Sequence, residues 1–158
     1  MQGKPTLHYF HLYGRAEMIR MTLYKAGVEF EDNRVSGQAW ADLKASGKLE
    51  SGQVPQLDLA DGTKLTQSGA ITNYLGATYK LKPEDPMLCY VGEKCVALTM
   101  DDFLMKHWMK AHFLPEEPRA AAIKEVVDTH MPVWLAALEK ALPSTKLLCG
   151  DTSTIYDF

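Results

Sequence analysis

The sequence predicts a mixed α/β first half followed by an all-helical second half, and three observations predict it. Through residue 80 the hydrophobic pattern alternates between periods of two and of three to four, in the order β-α-β-α-β-β-α. A polar run with two prolines, Lys80-Leu81-Lys82-Pro83-Glu84-Asp85-Pro86, then interrupts the pattern. Beyond it only the helical period recurs.

Thr6-Leu7-His8-Tyr9-Phe10 is rich in β-formers and bounded by Pro5 and Gly14, which predicts a strand. Met18, Ile19, Leu23 and Ala26 repeat at helical spacing from Arg15 to Ala26, and Gly27 stands where a C-cap is expected. Val28-Glu29-Phe30-Glu31 alternates as a half-buried second strand would. Trp40 and Leu43 predict a short, irregular second helix, with a Gly- and Ser-bearing loop from Ser46 to Gln53. Gln56-Leu57-Asp58-Leu59 and Lys64-Leu65-Thr66 flank Ala60-Asp61-Gly62, a hairpin signal. Ser68 is placed to cap a helix carrying Ile71, Tyr74, Leu75 and Thr78 on one face. The crossover helix makes the first two strands parallel and the hairpin closes antiparallel, a thioredoxin-like domain over 1–80.

Residues 81–87 form the expected linker, and 88–158 a partial all-helical domain. Leu88, Val91, Cys95, Leu98, Met105 and Met109 predict one stripe along a long helix, with Asp102 inside it. A second helix is expected from about Arg119 to Leu142, using Ile123, Val126, Val127, Trp134, Leu135 and Leu138, with a kink at Pro132. In the last nine residues Thr154 is an expected N-cap, and Asp157 reaches back from the third helical position. A cap needs a helix after it, and two helices leave one face uncovered; the sequence is therefore expected to be truncated at its C-terminus.

Seventeen Lys and Arg stand against 20 Asp and Glu, a formal charge of -3, which gives no electrostatic case for nucleic acid. No apolar run approaches the roughly 18 residues of a membrane span. Met1-Gln2-Gly3-Lys4-Pro5 has no apolar signal-peptide core. Cys89, Cys95 and Cys149 lack zinc-ligand or CxxC spacing, so no metal is expected, and reduced thiols in a cytoplasmic protein are the reading taken.

Several residues could carry chemistry. Tyr9 ends the first strand, where α/β sheets place ligands, and its hydroxyl can donate to an anion. A charge-assisted hydrogen bond of about 1.5–3 kcal/mol would lower a thiol pKa of roughly 8.5 by roughly one to two units. The plain alternative is a strand tyrosine with a wet hydroxyl. A cis Val54-Pro55 would turn the Val54 backbone toward a peptide-like ligand, although such bonds are usually trans. Gln67-Ser68 opens a helix whose exposed amides suit a carboxylate; capping alone would also explain Ser68. Trp40 and Lys44, four apart, could offer an indole NH and an ammonium to a second carboxylate, or simply pack and solvate. Arg15 could brace the turn after Tyr9 or sit on the surface. Of Asp101 and Asp102, one is a solvated acid on the bland account; on the sharper one, an acid meets an ammonium held by a second subunit.

In order along the chain these residues resemble the glutathione S-transferases, most closely the sigma class. The likeness runs from Leu7 to Glu17 through Trp40 and Lys44, Gln53 to Leu57, and Gln67 to Ile71, to the cap at 150–157. The resemblance implies that Tyr9 hydrogen-bonds the glutathione sulfur and Arg15 supports it, while Trp40 and Lys44 meet the glycine carboxylate. Gln53 and Val54 would hold the tripeptide backbone, with Pro55 cis, and Gln67 and Ser68 the γ-glutamyl end. Asp101, or Asp102, would reach the γ-glutamyl ammonium across a homodimer. It further implies glutathione as co-substrate, a small hydrophobic electrophile as its partner, and in some sigma-like members isomerisation of prostaglandin endoperoxides. The loop Ser46 to Gly52 is longer than the family's, and the later helices that line the electrophile pocket are missing. A non-catalytic binding or structural module of the same fold is the alternative. A thiol-disulfide oxidoreductase is rejected, because Tyr9 to Ala26 contains no cysteine.

Overall fold

Alternation organises the first strand. In β1 (Thr6–Phe10) Leu7 and Tyr9 are buried while Thr6, His8 and Phe10 are only partly covered. The computed structural model describes residues 3–142 and 147–158, so Met1 and Gln2 lie outside the described residues. The chain divides between Lys82 and Pro83, Phe158 grouping with the first unit.

In the first unit, one 3-10 turn (Gly14–Ala16) leads into α1 (Glu17–Lys25). Then follow β2 (Glu31–Val35), α2 (Gly37–Ala45), β3 (Gln56–Asp58), β4 (Lys64–Thr66) and α3 (Ser68–Thr78). The sheet order is β2-β1-β3-β4. β1 runs parallel to β2 and antiparallel to β3, and β3 antiparallel to β4. Leu7 lies opposite Leu57, which lies opposite Leu65, so one apolar row crosses the sheet. Ile19 and Leu23 of α1 and Ile71 and Leu75 of α3 cluster with Leu7 and Leu57, all six essentially sealed from solvent. This is the thioredoxin-like mixed sheet that the element order predicts.

Two elements differ from expectation. The second strand is Glu31–Val35, not 28–31. Val28 and Phe30 still pack on the core, but from the connection, while strand pairing passes to a polar segment at the sheet edge. An edge strand tolerates such polarity because one side of it meets solvent. On α3 the buried positions are Ile71, Thr72, Leu75 and Gly76; Tyr74 lies off this arc and Thr78 in the last turn, and both are exposed.

Among the described residues the second unit holds two long helices. α4 spans 86–112 as an α-helical Pro86–Ala97, a π-helical Leu98–Trp108 and a final turn Met109–His112. Asp85 caps its start, accepting from the Met87 N–H at 2.8 Å, with Pro86 in the first turn. α5 spans 116–141 as Glu116–Glu125, a π-helical Val126–His130 and Met131–Ala141. Pro132 cannot donate to the preceding turn, and the widened stretch stands just before it.

The π-helical stretch also moves the buried face. Wider turns shift the side chains by about one position, so Phe103 and Ala111 are buried where Asp102, Met105 and Met109 were expected. Asp102 and Met105 are exposed and Met109 is only partly covered. On α5, Val126 is buried, whereas Val127 and Leu135 point outward. Trp134 stacks on Phe103 with ring centroids 4.4 Å apart and donates its indole hydrogen to Thr99 Oγ1 at 3.3 Å.

The expected cap is formed around a short 3-10 turn, Ile155–Asp157. Asp157 Oδ2 accepts from Thr154 N at 2.7 Å and from its hydroxyl at 3.0 Å, and Thr154 Oγ1 accepts from Tyr156 N at 3.3 Å. The other Asp157 oxygen accepts from Leu148 N at 2.8 Å. Among the described residues no helix is long and apolar enough to cross a membrane, and no group of three His, Cys, Asp or Glu is placed to hold a metal ion.

Candidate active site

The site begins where β1 runs out. Tyr9 is buried to within 6% of its surface, with its ring tilted against Phe10. Its phenol oxygen accepts the backbone N–H of Arg15 at 3.0 Å, at the first turn of the helix. An N–H at a helix start carries part of the positive end of the dipole, so this bond polarises the phenol. Among the described residues nothing accepts the phenol's own hydrogen. The oxygen is held and the proton is left for donation.

Gly14 makes that approach feasible. Its φ is +46°, and a Cβ there would stand 2.7 Å from the Tyr9 oxygen and 2.5 Å from Leu12 Cδ1. A side chain would meet both strain and overlap.

Arg15 also lines a small polar cleft of about 170 Å³ with Ser51, Gln53, Val54, Pro55, Gln67 and Ser68. Six of the eleven residues singled out from sequence thus meet in one place. The Val54–Pro55 bond is cis. Gln67, at the cap position of α3, has φ +68° and ψ +110°. A glutamine in this region is uncommon and costs of order 1–3 kcal/mol, which tends to be tolerated at functional sites. Ser68 was expected as the cap. It is instead the first helical residue, and no side chain closes that helix start. The amides there remain a donor set suited to a carboxylate.

The loop from Ser46 to Gln53 is pinned by Gln56, which is fully buried at the start of β3. Its oxygen accepts from Glu50 N at 2.8 Å, and its amide donates to Lys48 O at 3.2 Å and Asp58 Oδ1 at 2.7 Å. A buried amide with its groups paired fixes the loop that carries Ser51 and Gln53.

Trp40 and Lys44 face the same way, the ammonium lying 5.7 Å from the indole centroid. Trp40 meets Phe10 edge-to-face at 5.0 Å, so it packs against the end of β1. Neither residue lines the cleft of Arg15 and Gln67. Asp101 and Asp102 lie on the π-helical stretch of the second unit, both exposed.

Two contributors were missed from sequence. Ser51 lines the cleft, but a serine in a Gly/Ser loop carries no distinguishing signal. Arg20 is buried beneath the turn and binds the carbonyls of Leu12 and Tyr13 at 3.1 and 3.2 Å. The available signal was a charged residue beside Ile19 on the apolar side of α1, with Glu17 three positions before it. Burial pushes the Cys95 and Cys149 thiols up, making them poor nucleophiles at neutral pH.

Comparison with known proteins places this geometry. A family model described as the glutathione S-transferase N-terminal domain matches residues 5–77. Glutathione S-transferase A of Cavia porcellus is 38% identical over 143 residues, covering 90% of this chain and 64% of that protein. The class-mu 28 kDa isozyme of Schistosoma haematobium is 32% identical over 155 residues, covering 94% and 72%. The solved sigma class enzyme of Fasciola hepatica superposes with a TM-score of 0.87 at 28% identity, over 99% of this chain and 75% of that one. The chain therefore spans about two thirds to three quarters of these relatives. Their names divide among alpha-like, mu and sigma types, so the likeness settles a family rather than a class. The chain belongs to the glutathione S-transferase family.

Proposed function

We propose that this chain binds glutathione in its first unit and transfers the tripeptide's sulfur to small hydrophobic electrophiles. The observation that carries the reading is the Tyr9 phenol at the end of β1, whose oxygen accepts the Arg15 N–H at 3.0 Å, with no acceptor for its own hydrogen among the described residues. That hydrogen is donated to the glutathione sulfur and stabilises the thiolate. The thiol proton leaves to solvent, and Tyr9 keeps its own. The sulfur lone pair forms the new S–C bond as the electrophile's leaving group departs with its electrons, or as its double bond takes up the charge and then a proton.

The remaining roles follow the chemistry of the residues. Gln53 and the Val54 backbone, beside Pro55, hold the peptide part; Gln67, Ser68 and the open amides of α3 take the γ-glutamyl carboxylate. Arg15 braces the cleft, and Trp40 with Lys44 takes the glycine carboxylate. In a homodimer Asp101, with Asp102 as the alternate, meets the γ-glutamyl ammonium of the partner's site. A cytoplasmic protein with a domain boundary in 81–87 fits this reading. The sigma assignment is favoured by the Fasciola likeness, and with it a glutathione-dependent isomerase remains the second activity to assay.

Conjugation of a generic aromatic electrophile by the chain and by Tyr9→Phe, beside binding to immobilised glutathione, tests the proposal. Tyr9→Phe is expected to retain binding and raise the apparent pKa of the bound thiol by about one to two units. An unchanged pH–rate profile removes Tyr9 from the mechanism. Binding without turnover by either protein makes the chain a binding module.

A further inference from the structure

We infer that Arg20 is a positioning residue for the Tyr9 chemistry, acting as a backbone clamp rather than through its charge; this rests on the role given to Tyr9 above. Arg20 lies beneath the β1–α1 turn, 94% buried by its 6% exposure, with its guanidinium carbon 5.8 Å from the Tyr9 ring centroid. Nη1 donates to Leu12 O, Tyr13 O and Glu17 Oε2 at 3.1, 3.2 and 2.9 Å, and Nε donates to Asp32 at 3.1 Å. One planar group thus ties the turn, the start of α1 and the edge strand β2 together. The turn it holds is the one that delivers Gly14 and the Arg15 N–H to the Tyr9 oxygen.

Two features separate this role from ordinary packing. Nη2 of Arg20 is buried with no partner among the described residues. An unsatisfied buried donor on a cation is a cost, and such groups call for an explanation beyond stability. A clamp whose Nη1 is committed to two backbone carbonyls supplies one, because the fork cannot also turn Nη2 toward an acceptor. The second feature is charge balance. The charged side chains beside the guanidinium are Glu17 and Lys25 from α1 and Asp32 and Arg34 from β2. Glu17 and Asp32 both pair directly with the guanidinium, so its positive charge is compensated where it sits. What Arg20 contributes is placement.

A clamp and a charge predict different things of lysine, which keeps the cation but lacks the planar fork. The bound thiol's pKa, read from thiolate absorbance of the glutathione complex without turnover, is measured for wild type, Arg20→Lys, Arg20→Met, Tyr9→Phe and Tyr9→Phe/Arg20→Met. Both Arg20 variants are expected to raise the thiol pKa by about one unit, which is about tenfold less thiolate well below that pKa. Glutathione affinity should change by less than about threefold. The double variant should match Tyr9→Phe alone, because Arg20 acts through the phenol. A wild-type pKa in Arg20→Lys, or additive shifts in the double variant, overturns the inference. Thermal melts check folding, and if Arg20→Met does not fold, Arg20→Lys decides alone. A normal pKa in Tyr9→Phe would sink the Tyr9 assignment itself, a result distinct from failure of the clamp.

Discussion

The two units bury their apolar residues in different ways. In the first, the core positions fall where periods of two and 3.6 put them: Leu7 and Leu57 on neighbouring strands, Ile19 and Leu23 on α1, Ile71 and Leu75 on α3. In the second, Cys95 and Val126 are buried as a helical period expects, but along the π-helical stretch of α4 the pattern slips, and Phe103 and Ala111 join Val126 in a small core at positions that period does not mark. Phe113, Val133 and Leu135 are at least half exposed there. The difference teaches that a sheet disciplines its helices. Strand register fixes which face is inward, whereas a helix pair can exchange one buried row for the next by widening a turn.

The sharpest way to break this comparison is a matched truncation in each unit. Leu57→Ala removes a fully buried side chain from the row Leu7-Leu57-Leu65, and is expected to cost about 2–5 kcal/mol in urea unfolding. Leu135→Ala, at a position half exposed on α5, should cost less than about 0.5 kcal/mol. Equal losses would mean that the two units share one mode of burial.

The same contrast explains what could be read in advance. β1, α1, the hairpin and α3 declare themselves because apolar spacing, Gly27 and Ala60-Asp61-Gly62 agree at each point. β2 does not, because Glu31-Asp32-Asn33-Arg34 is polar and becomes a strand only by pairing with β1 and anchoring Arg20. Of the cleft, Arg15, Gln53 to Pro55 and Gln67-Ser68 could be singled out in advance from their positions beside turns. Arg20 and Ser51 could not, since their parts depend on which carbonyls and loops the fold brings to them. The slipped stripe on α4 was also out of reach, because one inserted position leaves no composition mark.

The second unit relies on polar fastening as well, and Asp157 measures it. Its carboxylate holds two backbone N–H groups, those of Thr154 and Leu148, together with the Thr154 hydroxyl. Asp157→Ala should destabilise the helical unit by about 1–2 kcal/mol in a denaturant titration, with Asp157→Asn recovering part of the loss. If the alanine variant melts like the parent, the segment 147–157 is held by its buried side chains, Leu148, Cys149, Ile155 and Tyr156, rather than by this carboxylate.

The smallest effect should appear where α4 and α5 meet. The His107 and His130 rings stack 3.7 Å apart, 19° from parallel. Burial, then His130, Lys106 and Lys110, hold His107 below the ordinary imidazole value, against an opposing pull from Asp102. A histidine lowered in the folded state binds fewer protons than in the unfolded chain. Its contribution to stability is therefore present above about pH 6.5 and is lost as pH falls through the lower, folded value. Between pH 7 and 5 the helical unit should lose under about 2 °C in melting temperature through this group, because the imidazole is only partly covered. His107→Gln should remove that increment while leaving the acid response of the first unit unchanged. A variant whose melting temperature tracks the parent's at every pH would mean that the stacked pair titrates no differently once folded.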